Sequence, residues 1–134
     1  MEDWKIKIAA LWLIAELVAI VGNLIELYEP GFVEGLIAGE YAGMQITPEL
    51  MVLNVILFLI APLMAFLSLT LKDSINRWAN IIVGIVLTAF GFLTLAEYLA
   101  QNSAYLASEI LVEIAWIVAT ALIVWHAWKS KPKI

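Results

Sequence analysis

Four apolar runs, at about 4–27, 49–71, 78–99 and 105–128, occupy most of this 134-residue chain. Each is long enough for the roughly 20 residues that an α-helix needs to cross a bilayer. Backbone groups surrounded by lipid must be satisfied within their own segment, so such runs can only be helices. Only 14% of the residues are charged and 64% are hydrophobic, whereas ordinary globular chains carry about a quarter charged. A soluble domain is thereby excluded. The reading is a single transmembrane domain over 1–134: all-α, an integral membrane four-helix bundle of antiparallel up-down order. The first run is not expected to be a cleavable signal peptide. It is too long, carries Glu16 midway, and leads into Asn23 and Glu26 rather than a small-residue cleavage site.

The basic residues set an orientation. Lys5 and Lys7 precede the first run, Lys72 and Arg77 lie between the second and third, and Lys129, Lys131 and Lys133 follow the fourth. The other two connections contain no Lys or Arg. The positive-inside rule then puts both termini in the cytoplasm of a multi-pass cell-membrane protein. Aromatic residues sort the same way. Trp4, Trp78, Trp125 and Trp128 mark the inner interface, and Tyr28, Tyr41, Tyr98 and Tyr105 the outer one. Within the net charge of −5, Glu2, Asp3 and Asp73 are inner, Glu16 is near mid-depth, and the remaining eight acids lie outward. That outer face should repel anions and concentrate cations, which makes nucleic acid an unsuitable partner. The expected partners are the bilayer, a small-molecule ligand and a second copy in a homodimer.

The one long connection runs from Tyr28 to Thr47. Glu29-Pro30-Gly31 makes a turn, 32–38 suits a short interfacial helix, and Gly39 and Gly43 loosen the chain. An interfacial strap is its simplest role, and a lid or binding element the other. Thr47-Pro48-Glu49 reads as an N-cap, a proline in the first helical position and an acid in the first turn. The connection 72–77 is short, so the second and third helices should form a hairpin, with Asp73 or Ser74 capping the third. Gln101-Asn102-Ser103 makes a tight outer turn. Pro62 falls midway in the second helix, where it frees a carbonyl and should bend the helix. Gly84 and Gly91 form a small-residue stripe suited to close helix approach. No internal repeat is visible, which weakens an inverted-repeat transporter.

Glu16 is the sharpest candidate for chemistry. It lies about 13 Å beyond Lys7 along a helix rising 1.5 Å per residue, near mid-bilayer, where an ionised carboxylate facing lipid costs about 2.5–3.5 kcal/mol. It should face the bundle interior, protonated, hydrogen-bonded or paired with a cation. Asn23 and Glu26 extend its polar face outward. Glu109 and Glu113 share one face of the fourth helix, with Trp116 one turn deeper, as Trp12 is one turn from Glu16. These two indoles can donate to the carboxylates or wall a ligand, or they simply fill the core. Glu97 should snorkel to the surface, Asn54 and Asn80 should join helices by hydrogen bonds, and His126 should be interfacial.

No metal or cofactor site is expected. The Glu-x-x-His pairs of a di-iron bundle are absent, no calcium-loop pattern occurs, and one histidine cannot make a bis-histidine haem site. Without cysteine there is no disulfide-exchange chemistry. Nucleophile elbows, P-loops and dinucleotide fingerprints are also lacking.

The segment Asn76-Arg77-Trp78-Ala79-Asn80-Ile81-Ile82 resembles the signature of a family of uncharacterised small prokaryotic four-helix membrane proteins. Glu29-Pro30-Gly31 with Ile46-Thr47-Pro48, Pro62, Glu113-Ile114-Ala115 and the stretch 121–129 extend the likeness over nearly the whole chain. The family is similar in layout to DoxX-like proteins. The resemblance implies a four-helix bundle and carries no activity or catalytic residues. Three readings follow. The chain binds or transports a small cationic or neutral ligand, or protons, through Glu16, Glu109 and Glu113. Alternatively it is a membrane-embedded enzyme acting on a lipid-soluble substrate, or an accessory subunit of a membrane complex.

Overall fold

A computed structural model describes residues 2–41, 43–101 and 104–130. Lys131, Lys133 and the expected turn at Asn102-Ser103 lie outside the described residues. Four helices are long and apolar enough to cross a membrane: α1 (Asp3–Glu26), α3 (Pro48–Thr70), α4 (Asp73–Gln101) and α5 (Leu106–Lys129). Between α1 and α3 runs a strap made of α2 (Phe32–Ile37) and a minimal hairpin, β1 (Glu40–Tyr41) with β2 (Met44–Gln45). In its antiparallel register Glu40 faces Gln45 and Tyr41 faces Met44. The looseness expected around Gly39 and Gly43 is therefore ordered. Both glycines adopt positive φ, at 82° and 77°, as does Gly31 at 84°, the backbone conformation that glycine takes without strain.

Local signals account for the helix ends. Thr47 Oγ1 accepts from Leu50 N at 3.1 Å with Pro48 in the first helical position, as its sequence implies. The third spanning helix begins at Asp73, five residues before the expected position 78. Asp73 therefore does not cap it. Asp73 sits in the first turn, where a negative charge suits the helix dipole, and pairs with Lys5 at 2.6 Å.

In the bundle α1 packs against both α3 and α5, and α5 packs against α4. The hairpin partners α3 and α4 touch only sparsely, despite their short connection. Their contact is confined to one end of the molecule, the end that bears both termini. There Ile8, Ala9 and Trp12 of α1 meet Ala61, Met64 and Ala65 of α3, Ile81 of α4, and Ile123 and Ala127 of α5. Lipid tails are as apolar as leucine, so helices associate by close packing rather than by escape from water. Small residues make this packing possible. A Cβ on buried Gly84 would lie 2.7 Å from Val124 Cγ2, so only glycine lets α4 and α5 come this close.

A buried polar network locks the same end. Trp12 Nε1 donates to Asn80 Oδ1 at 2.7 Å. Asn80 Nδ2 donates to Asn76 Oδ1 at 2.7 Å, and Asn76 Nδ2 donates to Ser68 O at 2.6 Å. The Ser68 hydroxyl lies between two acceptors, Met64 O at 2.6 Å and Asn80 Oδ1 at 3.2 Å. Asn80 thus joins α1, α3 and α4. Asn54 does not join helices: it donates to Leu50 O of its own helix at 3.2 Å. At the rim Arg77 donates to Ala127 O at 3.2 Å and Trp128 O at 3.1 Å, closing the C-terminus of α5 between the rings of Trp78 and Trp128.

The opposite, loop-bearing half is built differently. Every buried residue of α3 lies at or beyond Ala61, and residues 51–53 and 55–57 are exposed on all sides of the helix. Pro62 marks this boundary, although α3 runs through it as one helix. The bundle is closed at its terminal end and parted at its loop end.

Candidate functional site

Where α3 and α4 separate, two adjoining cavities open. The first, of about 220 Å³, lies between α1, α4 and α5 and is lined by Asn23, Glu26, Thr94, Tyr98, Glu113 and Trp116 among others. The second, of about 250 Å³, lies deeper and nearer α3. Its walls are Ala19, Leu57, Phe58, Ile60, Ala61, Leu87, Phe90 and Trp116, and Glu16 is its one ionisable residue. Ala19, Phe90 and Trp116 line both. They form the partition between a polar chamber and an apolar one.

The partition is positioned by a glycine. Gly91 is buried, and a Cβ there would lie 2.9 Å from Trp116 Cδ1 and 2.7 Å from Ile117 Cγ1. Its absence lets the indole lie against the α4 backbone, where Nε1 donates to Leu87 O at 3.2 Å. Below it, Thr120 lies 2.9 Å from Thr88 Oγ1, a second hydrogen bond between α5 and α4.

Glu26 forms the outer edge of the polar chamber. Tyr41 of the strap donates to its Oε2 at 3.5 Å, and the Tyr98 hydroxyl faces it from α4. Burial, followed by the negative charge of Glu26, pushes the Tyr41 phenol above its ordinary 10.0. Phe32 stands edge-on to Tyr41 with ring centroids 5.9 Å apart, which joins α2 to the hairpin in one strap over this edge. Glu109 sits beside Glu26 and Tyr98, in a narrow space between α1 and α5 that also includes Gly22. It is 6% exposed, the Glu29 side chain reaches its carboxyl group, and its Oε2 has no hydrogen-bond partner.

The structure separates residues that sequence reasoning grouped. Trp12 is fully buried in the closed end with its indole turned to Asn80, so it fills the core and does not serve Glu16. Trp116 does wall both cavities, but its N–H goes to a backbone carbonyl rather than to a carboxylate. Asn23 lines the polar chamber while donating to Ala19 O at 2.8 Å. Glu16 and Glu113 face adjoining cavities, on either side of the partition. Glu97 is exposed, and His126 is half-buried near the terminal rim.

Among the lining residues to which the sequence assigns no site role are Phe90, Gly91, Thr94 and Tyr98, although Gly91 figures there in the packing stripe and Tyr98 in the outer belt. A signal existed, because Gly91, Thr94 and Tyr98 are spaced three and four apart and share a helix face. Among the described residues, no group of three or more His, Cys, Asp or Glu side chains is placed to hold a metal ion.

Residues 1–130 match the profile of DUF6326, a family of unknown function, and the chain belongs to that family. No curated protein matches it significantly, and no solved structure does so either.

Proposed function

We propose that this member of the DUF6326 family is a membrane binding or transport module for a small cationic or neutral ligand, or for protons, housed in the two cavities. One observation carries the reading: a polar chamber with Glu26 and Glu113 and an apolar chamber with Glu16 adjoin across Trp116, in the half of the bundle that does not close. An acid–base enzyme is less well supported, since Glu16 and Glu113 line different chambers rather than flanking one reacting centre.

The reading includes an orientation with both termini in the cytoplasm of a cell membrane. Its support is the gathering of Lys5, Lys7, Lys72, Arg77 and Lys129 toward the closed end. The DoxX-like layout rests on helix number and order alone and contributes no ligand.

Native mass spectrometry of the gently solubilised protein tests the proposal. The wild type should carry a small molecule whose occupancy falls in Glu16→Gln and in Glu113→Gln. A bare wild type, or equal occupancy in all three proteins, would overturn the small-molecule ligand. For protons the test is flux into proteoliposomes, which should fall in both variants, and equal flux in all three would overturn that reading.

A further inference from the structure

The deeper cavity is poor in polar groups. Glu16 brings a carboxyl group. Pro62 has no N–H, which leaves the Phe58 carbonyl without its helical donor, and Phe58 lines the same cavity. The Trp116 indole N–H is already given to Leu87 O. The remaining walls are aliphatic or aromatic, and no Lys or Arg lines the cavity. A well-matched occupant therefore brings a polar group that the Glu16 carboxyl can pair with in an otherwise apolar space.

Two further features narrow its class. Phe90 and Trp116 present aromatic rings to the space that Glu16 borders, and such faces attract a cation. The cavity also opens sideways. Leu57 on α3 and Phe90 on α4 are 52% and 59% exposed, and both line it, so its mouth lies between these helices and faces the hydrocarbon. Its volume of about 250 Å³ exceeds the roughly 150 Å³ of a cavity that takes up benzene.

We propose that the deeper cavity binds a lipid-dissolved aryl- or alkylamine as its ammonium ion, against Glu16 and between Phe90 and Trp116, with access from the bilayer between α3 and α4. This deepens the binding-module reading and rests on it. The amine arrives neutral, and one proton passes from the Glu16 carboxyl group to the amine nitrogen. Carboxylate and ammonium then face one another, and no net charge has entered the membrane. The ammonium hydrogens meet the Glu16 carboxylate and the Phe58 carbonyl released by Pro62.

The test compares 2-phenylethylamine with n-propylbenzene, its near-isostere without nitrogen. Binding to wild type, Glu16→Gln and Leu57→Trp is measured in nanodiscs by calorimetry at neutral pH. The amine should bind the wild type more tightly, and Glu16→Gln should weaken it about tenfold or more, the effect of one charge-assisted hydrogen bond. Propylbenzene should bind wild type and Glu16→Gln alike, which also shows that the variant is folded. Leu57→Trp, which crowds the mouth, should weaken both. Equal binding of the two probes, unchanged by Glu16→Gln, would overturn the amine while leaving a binding cavity. Failure of both probes in a protein whose native mass shows a retained molecule would overturn the ligand class alone. Failure of both in a bare protein would overturn the small-molecule binding module as well.

Discussion

Asn80→Leu should destabilise the bundle by about 1–3 kcal/mol, and the structure shows why. Asn80 is 1% exposed and bonds outward to two other helices, accepting from Trp12 Nε1 at 2.7 Å and facing the Ser68 hydroxyl at 3.2 Å. Hydrogen bonds between membrane helices average about 0.6 kcal/mol and reach about 1.7. Losing both therefore costs about 1 kcal/mol at the average and about 3 at the upper limit. Leucine keeps the heavy-atom count and opens no cavity, and its greater bulk only adds to the cost. What it does leave is a buried indole N–H and the Asn76 amide oxygen without partners. The assay is reversible unfolding in mixed micelles, followed by helical circular dichroism, in a double-mutant cycle with Trp12→Phe. Once Asn80 is gone the indole N–H has no partner to lose, so Trp12→Phe should cost less in that background than in the wild type. A cost below about 0.5 kcal/mol, or additivity within about 0.5 kcal/mol, would refute the claim that this network holds the closed end.

Gly91→Ala should cost about 1–2 kcal/mol in the same assay, because overpacking against Trp116 and Ile117 outweighs alanine's better helix propensity. Gly22→Ala should cost less, since its Cβ meets a single atom, Val112 Cγ1, at 3.0 Å rather than two below that distance. Equal melting of the two variants would count against Gly91 as the seat of the partition. Tyr41 should ionise above 10.0, read as the difference in absorbance at alkaline pH between wild type and Tyr41→Phe. A raised phenol favours the protonated, folded state. The strap's attachment is therefore full below pH 10 and weakens as pH climbs through the raised value. Glu26→Gln should bring the midpoint only part of the way back, because burial is the larger cause.

Hydropathy made the spanning helices legible, since the length of an apolar run is a property of the sequence alone. The start of α3 was equally plain, because Thr47, Pro48 and Glu49 each act within one turn. Neighbours across space were not. A short connection made α3 and α4 look like a packed hairpin, yet packing is decided along the whole helix. Small residues for it, Ala61 and Ala65, occur only in the half of α3 beyond residue 60, whereas Leu53, Val55, Ile56 and Leu57 fill the other half with bulk. The hairpin of β1 and β2 has no Asn-Gly signal and two-residue strands, too little for periodicity to register. Trp12 and Trp116 look alike in sequence, each one turn from a carboxylate. What separates them is a partner on another helix, Asn80 for one and Gly91 for the other, and no local pattern links residues so far apart.

The division of the bundle into a closed and a parted half explains how so apolar a chain tolerates its acids. Carboxylates in a membrane demand a partner or water, and close packing provides neither. The closed end therefore contains amide, hydroxyl and indole groups that satisfy one another, with its charges at the rim, where Lys5 meets Asp73 and Arg77 meets the last carbonyls of α5. That end holds three of the four helices together through Asn80 and pins the fourth through Arg77. The loop half is thus released from holding the bundle together, and it is there that Glu16, Glu26, Glu109 and Glu113 collect. If stability and binding are divided in this way, the two sets of substitutions should act independently. Asn80→Leu should lower the melting temperature while leaving ligand occupancy in the surviving folded protein unchanged, and Glu16→Gln should do the reverse. Loss of occupancy in folded Asn80→Leu would mean that the closed end shapes the cavities as well as carrying them.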